Sequence, residues 1–427
     1  MTPTARPPLP PGPWLVVGLA RSGVAAARAL RARGEQVVAV DRGAPEVPDG
    51  LEAHLGTDGL AQLAGVRAVL KSPGVPREAA VIAAARERGV PVLGELELGW
   101  RLLANEFVAV TGTNGKTTTV ELLGHIHREA GLPVAVAGNV GAALSGLAGQ
   151  LDERATVVCE ASSFQLEDTL EFAPEGAVLL NVEADHLDRH GTFEDYLSAK
   201  LQVFARQRDD DVAVFASGLD VDDVGGCARR VRFGPGGELD VRAGYLWWDG
   251  EPLIALQEIR LRGAHNRENA AAAAAIALAR GIDPDAVRAG LRTFAGVEHR
   301  LEEAGRVDGV LYVNDSKATN VASTLVALAS FPEGVRVHLV LGGQAKGQAF
   351  DALRGRAHAT YLIGEDAERI GREAGGEPCG DLATAVARAR AAASAGDVVL
   401  LSPACASFDQ FADFEARGRA FKALVRP

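Results

Sequence analysis

Two glycines, a lysine and a threonine carry the first chemical signal in this chain. Residues 107–123 read Phe-Val-Ala-Val-Thr-Gly-Thr-Asn-Gly-Lys-Thr-Thr-Thr-Val-Glu-Leu-Leu: an apolar strand, a turn bracketed by Gly112 and Gly115, and a helix opening at Lys116-Thr117. Without side chains at the two glycines, the turn can aim its backbone N–H groups at an anion over the helix N-terminus. Lys116 is placed to reach outer phosphates, and the Thr117 hydroxyl to ligate the accompanying Mg²⁺. The usual P-loop spacing asks for a glycine at 110, where this chain has Val110. The expected ligand is a nucleoside triphosphate.

Lysine is scarce. Of 44 basic residues only six are lysine, at 71, 116, 200, 317, 346 and 422. A chain that otherwise uses arginine keeps lysine as a candidate wherever a compact, titratable amine is needed.

Two further strand ends bear polar clusters. Val157-Val-Cys-Glu160-Ala-Ser162-Ser-Phe-Gln165 follows one, and Asn181-Val-Glu-Ala-Asp185-His186-Leu-Asp-Arg-His190 the other. Ligands of open α/β sheets bind beyond the carboxyl ends of the strands, so these clusters should gather around the triphosphate. Hard oxygens from Thr117 and Glu160 suit Mg²⁺. Asp185 and His186, each more often structural when met alone, point to a second metal position there, where the imidazole makes Mn²⁺ the expected substitute.

The elements that must position these residues alternate from end to end, strand-like apolar runs with Ala/Arg-rich helical stretches, the pattern of parallel α/β sheets. We expect a leader over 1–13, holding six prolines and flexible, then blocks at 14–100, 101–297 and 298–427. The first block opens Trp14-Leu-Val-Val-Gly18-Leu-Ala20-Arg21-Ser22-Gly23 and reaches Asp41 at the end of a second strand. That is a Rossmann-like start with Ala20 as its middle glycine, equally readable as nucleotide binding or as tight strand–helix packing. Residues 95–103 look helical, 211–262 more β-like and without defensible chemistry. The last block carries Asn314-Asp315-Ser-Lys317-Ala-Thr319-Asn320, a strand at Val337–Leu341 and a final strand at Val398–Leu401.

At 427 residues the chain is too long for one core, and 47% apolar with 23% charged residues is ordinary for a globular protein. A net charge of −12 argues against nucleic acid or an anionic membrane as the main partner. Four scattered cysteines without a C-x-x-C pair fit a reducing cytoplasm and no structural zinc, and no stretch reads as a signal or a membrane span.

Taken together, Thr111-Gly-Thr-Asn-Gly-Lys-Thr117, Glu160-Ala-Ser-Ser163, Asp185-His186, His265-Asn-Arg-Glu-Asn269 and Asn314-Asp-Ser-Lys-Ala-Thr319 resemble the Mur ligase superfamily, ATP-dependent amide-forming enzymes of peptidoglycan assembly. Within it, Ser162-Ser-Phe-Gln-Leu-Glu167 and Leu401-Ser-Pro-Ala-Cys-Ala-Ser407 resemble the branch that adds D-glutamate to UDP-N-acetylmuramoyl-L-alanine. The likeness covers nearly the whole chain past the leader.

The resemblance implies three α/β domains, a Rossmann-like one for the UDP end, a central ATPase and a closing Rossmann-like domain. It implies ATP contacts from Gly112, Thr113, Asn114, Gly115, Lys116, Thr117, Thr118 and Asn269, with His265 nearby and Arg300 and Asp315 coming from the closing domain. Arg21, Ser22, Asp41, Ser72 and Gly74 would contact the UDP moiety; Asn139, Ser162, Gln165 and His186 would line the muramoyl-alanine end. A Thr-Arg pair often follows the acid in similar enzymes, whereas here Asp41 precedes Arg42-Gly43. Lys317, Thr319, Lys346, Ser407, Phe408 and Phe414 match the D-glutamate pocket. The metals implied are two Mg²⁺ ions held by Thr117, Glu160, His186 and Lys200, the lysine as a carbamate formed with CO₂. Lys116, Glu160, His186 and Lys200 are the catalytic set, and a cytoplasmic monomer is expected. Three other readings remain: a superfamily ligase for another amino acid or for folate polyglutamate, a nucleotide-sugar dehydrogenase, and a non-catalytic nucleotide sensor. An amino-acid panel, nicotinamide binding and substrate-dependent phosphate release respectively decide them.

Overall fold

A computed structural model describes residues 5–219, 225–261, 263–345 and 347–425, with only the backbone of Asp188. Lys346 therefore lies outside the described residues. Two compact units are present, one ending at Phe294 and the other beginning at Ala295. The first unit holds two sheets and the second holds one.

In the first sheet β1 (Trp14–Val17), β2 (Val37–Asp41), β3 (Glu52–Leu55), β4 (Ala68–Lys71) and β5 (Val92–Gly94) are all parallel, in the order β3-β2-β1-β4-β5. Parallel sheets are covered on both faces, and every residue of β1 is buried. Trp14 and Val16 pack into one apolar layer with Leu30 and Leu98, Leu15 and Val17 into the opposite one with Val69 and Ile82. The chain reverses direction on either side of β1. That makes its carboxyl end a switch point, where such sheets bind ligands.

The second sheet comprises β6 (Phe107–Thr111), β7 (Val134–Gly138), β8 (Thr156–Glu160), β9 (Gly176–Leu179), β10 (Val212–Ala216), β11 (Arg229–Phe233), β12 (Leu239–Arg242), β13 (Tyr245–Trp248) and β14 (Glu251–Ala255). Its order is β14-β13-β12-β11-β10-β9-β6-β8-β7, with the last hairpins antiparallel, so the β-like stretch after 211 extends one edge. Here β6 stands between β9 and β8 and is the second switch point. Helix Ala264–Ala279 is buried from Asn269 to Leu278, and its run of alanines lets it pack close against helix Lys116–Glu129.

The second unit is one sheet of β15 (Glu302–Val307), β16 (Val310–Asn314), β17 (Val337–Gly342), β18 (Ala359–Ile363), β19 (Glu377–Gly380) and β20 (Val398–Leu401), ordered β15-β16-β20-β17-β18-β19. Only β15 runs antiparallel. Among the described residues no helix is long and apolar enough to cross a membrane.

The leader makes contacts of its own from Arg6 onward. Arg6 is buried, 2.8 Å from the Glu175 carboxylate, with its guanidinium 4.7 Å above the Trp100 ring and donating to the carbonyls of Leu103 and Asn105. Arg101 holds the Pro8 carbonyl at 2.8 Å, and Leu9 joins the first sheet's core. The proline-rich stretch is thus laid along the protein from Arg6 onward, because one cation finds a buried acid and an aromatic face. Removing that cation leaves a buried carboxylate without its counter-charge. Arg6→Ala should therefore lower the unfolding free energy by about 3 kcal/mol, the low end for breaking a buried pair because Glu175 keeps the Phe107 N–H. Urea unfolding checks this, and an unchanged midpoint would show that the leader is not anchored.

Candidate active site

The strand β6 ends at Thr111, and only Gly112–Gly115 separate it from the 14-residue helix Lys116–Glu129. Gly115 caps that helix in the left-handed region at φ 84°, and a Cβ there would collide with the Asn269 side-chain oxygen. No side chain caps the helix, so its first N–H groups stay available to an anion. Asn181, at the end of β9, shapes the loop: its Oδ1 accepts from the N–H groups of Thr113 at 3.1 Å and Asn114 at 2.9 Å. Sequence reading gave Asn181 no such role; its position at a strand end beside the loop was the available signal.

Two lysines converge on one carbonyl. Lys116 Nζ donates to the Gly112 oxygen at 2.9 Å and to that of Thr113, while Lys200 Nζ donates to the same Gly112 oxygen at 2.8 Å. Lys200 is 1% exposed and lies 4.4 Å over the Tyr196 ring, whose hydroxyl meets Thr113 Oγ1 at 3.0 Å. Burial, and then the neighbouring Lys116 charge, lower the Lys200 pKa to about 7. At neutral pH a large share of this amine is uncharged and nucleophilic.

On the helix side of the loop Thr117 Oγ1 donates to Glu160 Oε2 at 2.8 Å, and Asn139 Nδ2 to Glu160 Oε1 at 3.0 Å. Among the described residues no three His, Cys, Asp or Glu are grouped to hold a metal. The oxygens of Thr117 and Glu160 nonetheless fit Mg²⁺, which keeps several waters and takes one or two protein oxygens beside phosphate. His186 stands apart from that pair. It sits at φ 52°, half exposed, 4.9 Å from the Phe164 ring and 6.4 Å from Tyr196, with Nε2 3.5 Å from Asp185.

A cleft of 530 Å³ opens at the carboxyl ends of β1, β2 and β4 and runs to Gly138, Asn139 and Gln165. Arg21, Ser22, Asp41, Ser72 and Gly74 all line it. Arg21 and Ser22 open a 12-residue helix that again lacks a side-chain cap. Asp41 accepts from the N–H groups of Leu19 and Gly43, both at 2.7 Å, and Ser72 Oγ donates to the Gly18 carbonyl at 2.7 Å. A Cβ at Gly23 would run into that same carbonyl. The glycine pattern thus serves close packing and, through the cleft, leaves room for a ligand. Ser162 does not line the cleft; it forms a capping box with Gln165, accepting its N–H at 3.3 Å. Glu95, which the sequence places only in a helical stretch, does line it. Its Oε1 accepts from the Ser145 N–H and hydroxyl, both at 2.7 Å, and burial raises its pKa.

In the second unit Asp315 directly follows β16, accepting from Ser402 Oγ at 2.8 Å and the Leu301 N–H at 3.1 Å, and burial raises its pKa to about 6. Arg300 is exposed and Thr319 half-buried. Lys317 Nζ lies 5.9 Å from the Phe414 ring; Ser407 is buried, and Phe408 is 64% exposed. Arg417, missed in the sequence, joins these motifs. It is fully buried and donates to Ser316 Oγ at 3.0 Å, the Ser316 carbonyl at 2.9 Å and the Cys405 carbonyl at 3.0 Å. As one arginine in a final helix rich in them, nothing in its spacing set it apart.

The Lys200 shift has a thermodynamic consequence. Between about pH 7 and the ordinary lysine value of 10.5 the unfolded chain binds more protons than the folded one, so stability should rise with pH across that window. Below it both states are protonated and the cost of burying the charge is present in full. In CO₂-free buffer, urea unfolding of Lys200→Met should lack the part of that slope that the parent shows.

Comparison with known proteins follows the chain from end to end. Residues 13–94 match the Mur ligase MurD-like N-terminal domain, 110–226 the Mur ligase middle domain and 299–405 the Mur ligase glutamate ligase domain. A protein of Anaeromyxobacter dehalogenans named UDP-N-acetylmuramoylalanine--D-glutamate ligase is 44% identical, covering 96% of each chain. One of the same name from Acidobacterium capsulatum is 41% identical over 96% of this chain and 95% of its own. Among solved structures, MurF from Acinetobacter baumannii superposes with a TM-score of 0.60 at 17% identity, covering 96% of this chain and 92% of its own. UDP-N-acetylmuramate-alanine ligase from Thermotoga maritima gives 0.58 at 18%, covering 96% and 98%. At such identities the structures establish the shared fold alone.

Proposed function

The chain belongs to the Mur ligase family, and within it we propose that this protein joins D-glutamate to UDP-N-acetylmuramoyl-L-alanine, converting ATP to ADP and phosphate. Full-length relatives at 41% and 44% identity carry that name. The observation that carries the reading is the meeting of a phosphate loop with a sugar-nucleotide-sized cleft at Asn139, which lines the cleft and also holds Glu160 beside Thr117.

The reaction divides into two displacements. The L-alanyl carboxylate attacks the γ-phosphorus, the bond to the β-bridging oxygen breaks, and ADP leaves an acyl phosphate. The D-glutamate amine then attacks the acyl carbon, loses a proton, and the tetrahedral intermediate expels phosphate. Little covalent work falls to the protein in the first step, which depends on alignment and charge neutralisation. The loop N–H groups and Lys116 hold the phosphates, with Thr118 and Asn269 bordering the nucleotide. Thr117 and Glu160 are the residues that would hold Mg²⁺, whose positive charge neutralises the phosphate oxygens when it is bound; His186 belongs to a second position, for which Mn²⁺ is the expected substitute. Lys200, buried and partly neutral, is suited to add CO₂ through its lone pair and lose a proton. A carbamate there replaces a cation that would repel the metal with an anion that attracts it. Arginine, protonated at all working pH values, cannot do this.

The cleft residues Arg21, Ser22, Asp41, Ser72 and Gly74 take the UDP end, and Asn139 and Gln165 the muramoyl-alanine end. The second unit supplies recognition of the two D-glutamate carboxylates through Lys317, Lys346, Thr319 and Ser407, flanked by Phe408 and Phe414.

Phosphate release from ATP should require both the UDP substrate and D-glutamate, with L-glutamate a poor replacement; comparable release with L-glutamate or L-lysine would overturn the assignment. Lys200→Arg should lose nearly all activity while remaining folded. In Lys200→Ala, added acetate or formate should restore part of it, and full activity of the arginine variant would rule the carbamate out.

A further inference from the structure

Lys71 is a lysine for which the proposed chemistry has no use. It ends β4 with no exposed surface, and its Nζ lies 2.6 Å from Asp168 Oδ2, whose side chain is 1% exposed. The two form a buried, charge-assisted ion pair. Another of the three Nζ protons goes to the Val75 carbonyl at 2.9 Å. Burying two charges is costly, and a pair this deep is poor evidence for a gain in stability. Geometry is the better account.

Each partner carries part of the cleft. Lys71 leads directly into Ser72, Pro73, Gly74 and Val75, all lining residues from the first sheet. Asp168 follows the short helix Ser163–Leu166, and its N–H donates to the carbonyl of Gln165, a lining residue from the second sheet. The Asp168 carbonyl in turn accepts the Gly94 N–H at 3.2 Å, next to Glu95. A second cation works along the same seam: Arg189 donates to the Pro73 carbonyl at 3.0 Å and to Glu167 at 3.1 Å. The loop on one wall is therefore tied at two points to the turn on the other wall, and the ties run through charges. At Lys71 a point charge has to serve a carbonyl and a carboxylate within a fully closed space, a task for which a planar guanidinium is too broad.

We propose that Lys71 and Asp168 are a positioning pair that sets the span of the cleft, holding the Ser72–Val75 loop in register with the Gln165 turn so that a nucleotide-sugar substrate is gripped at both ends. This rests on the reading of the cleft as the site of the UDP substrate. Neither residue touches the reacting atoms.

The test separates spacing from stability. Lys71→Met alone leaves the buried Asp168 carboxylate with only the half-exposed Arg86, 3.5 Å away, and should be destabilised. The double variant Lys71→Met/Asp168→Leu removes both fully buried charges and leaves Arg86, whose side chain is 35% exposed, to water, so it should unfold at a urea concentration near that of the parent. In that double variant KM for UDP-N-acetylmuramoyl-L-alanine should rise about tenfold, with kcat and the KM values for ATP and D-glutamate within about twofold, the signature of lost uniform binding. UDP alone, reaching only the first-sheet wall, should inhibit with a constant changed less than about twofold. Asp168→Asn, which keeps the shape and weakens the pair, should shift the same KM in the same direction and serves if the double variant does not fold. An unchanged KM in a folded variant, or equal rises for all three substrates, overturns the positioning role. A parent enzyme that releases no phosphate with the UDP substrate overturns the reading of the cleft, and the positioning role with it.

Discussion

Positive charge crowded against one carbonyl is the constraint around which this protein is organised. The Gly112 oxygen accepts from Lys116 and Lys200 together, at 2.9 and 2.8 Å. Burial first, and then repulsion from the Lys116 charge, lower the Lys200 pKa to about 7. The arrangement requires a backbone turn tight enough to present that oxygen outward. Such a turn in turn requires the left-handed Gly115, the side-chain-free Gly112 and the Asn181 carboxamide that fastens the intervening N–H groups. Beside the loop, Glu160 is kept in place by a threonine and an asparagine.

Parallel sheets explain why so few residues can be brought together from so far apart. In both sheets of the first unit the strand at the switch point is flanked by strands from different parts of the chain, and its carboxyl end opens into a crevice. Asp41, Ser72, Asn139 and Gln165 reach one cleft because each follows a strand end. The cost of such architecture is that crevice walls belonging to different sheets need separate ties. At the cleft the Lys71–Asp168 pair supplies one, and Arg189, which bridges the Pro73 carbonyl and Glu167, supplies another.

Local pattern made the strands, the phosphate loop and the polar strand ends legible, because each is a run of neighbouring residues with a short-range physical meaning. The loop was readable even though Val110 breaks the usual spacing: the strand here extends to Thr111, and the turn is shorter than in the usual pattern. What was hidden depends on partners distant in sequence. Composition marks the first thirteen residues as flexible, yet Arg6 finds Glu175 169 residues away. Glu95 and Arg417 became notable only once burial removed their water. Ser162 shows the reverse case, since the resemblance points it at substrate while its side chain is engaged in capping Gln165.

The scarcity of lysine sharpens the point. Lys71, Lys116 and Lys200 all donate to backbone carbonyls in confined positions, where a single nitrogen fits and a five-donor fork does not. Lys422 does not follow this rule. It reaches Glu298 at 2.7 Å and Glu302 at 2.8 Å near the surface, where an arginine could serve as well. A bias in composition therefore identifies positions worth inspecting without assigning them work; the assignment comes from what each amine touches. For Lys200 that is a carbonyl, an aromatic face and a like charge; burial and the like charge outweigh the other two and favour the neutral amine, and only a neutral amine can be converted into an anion. The same crowding that makes the loop costly to hold together leaves its buried lysine partly neutral.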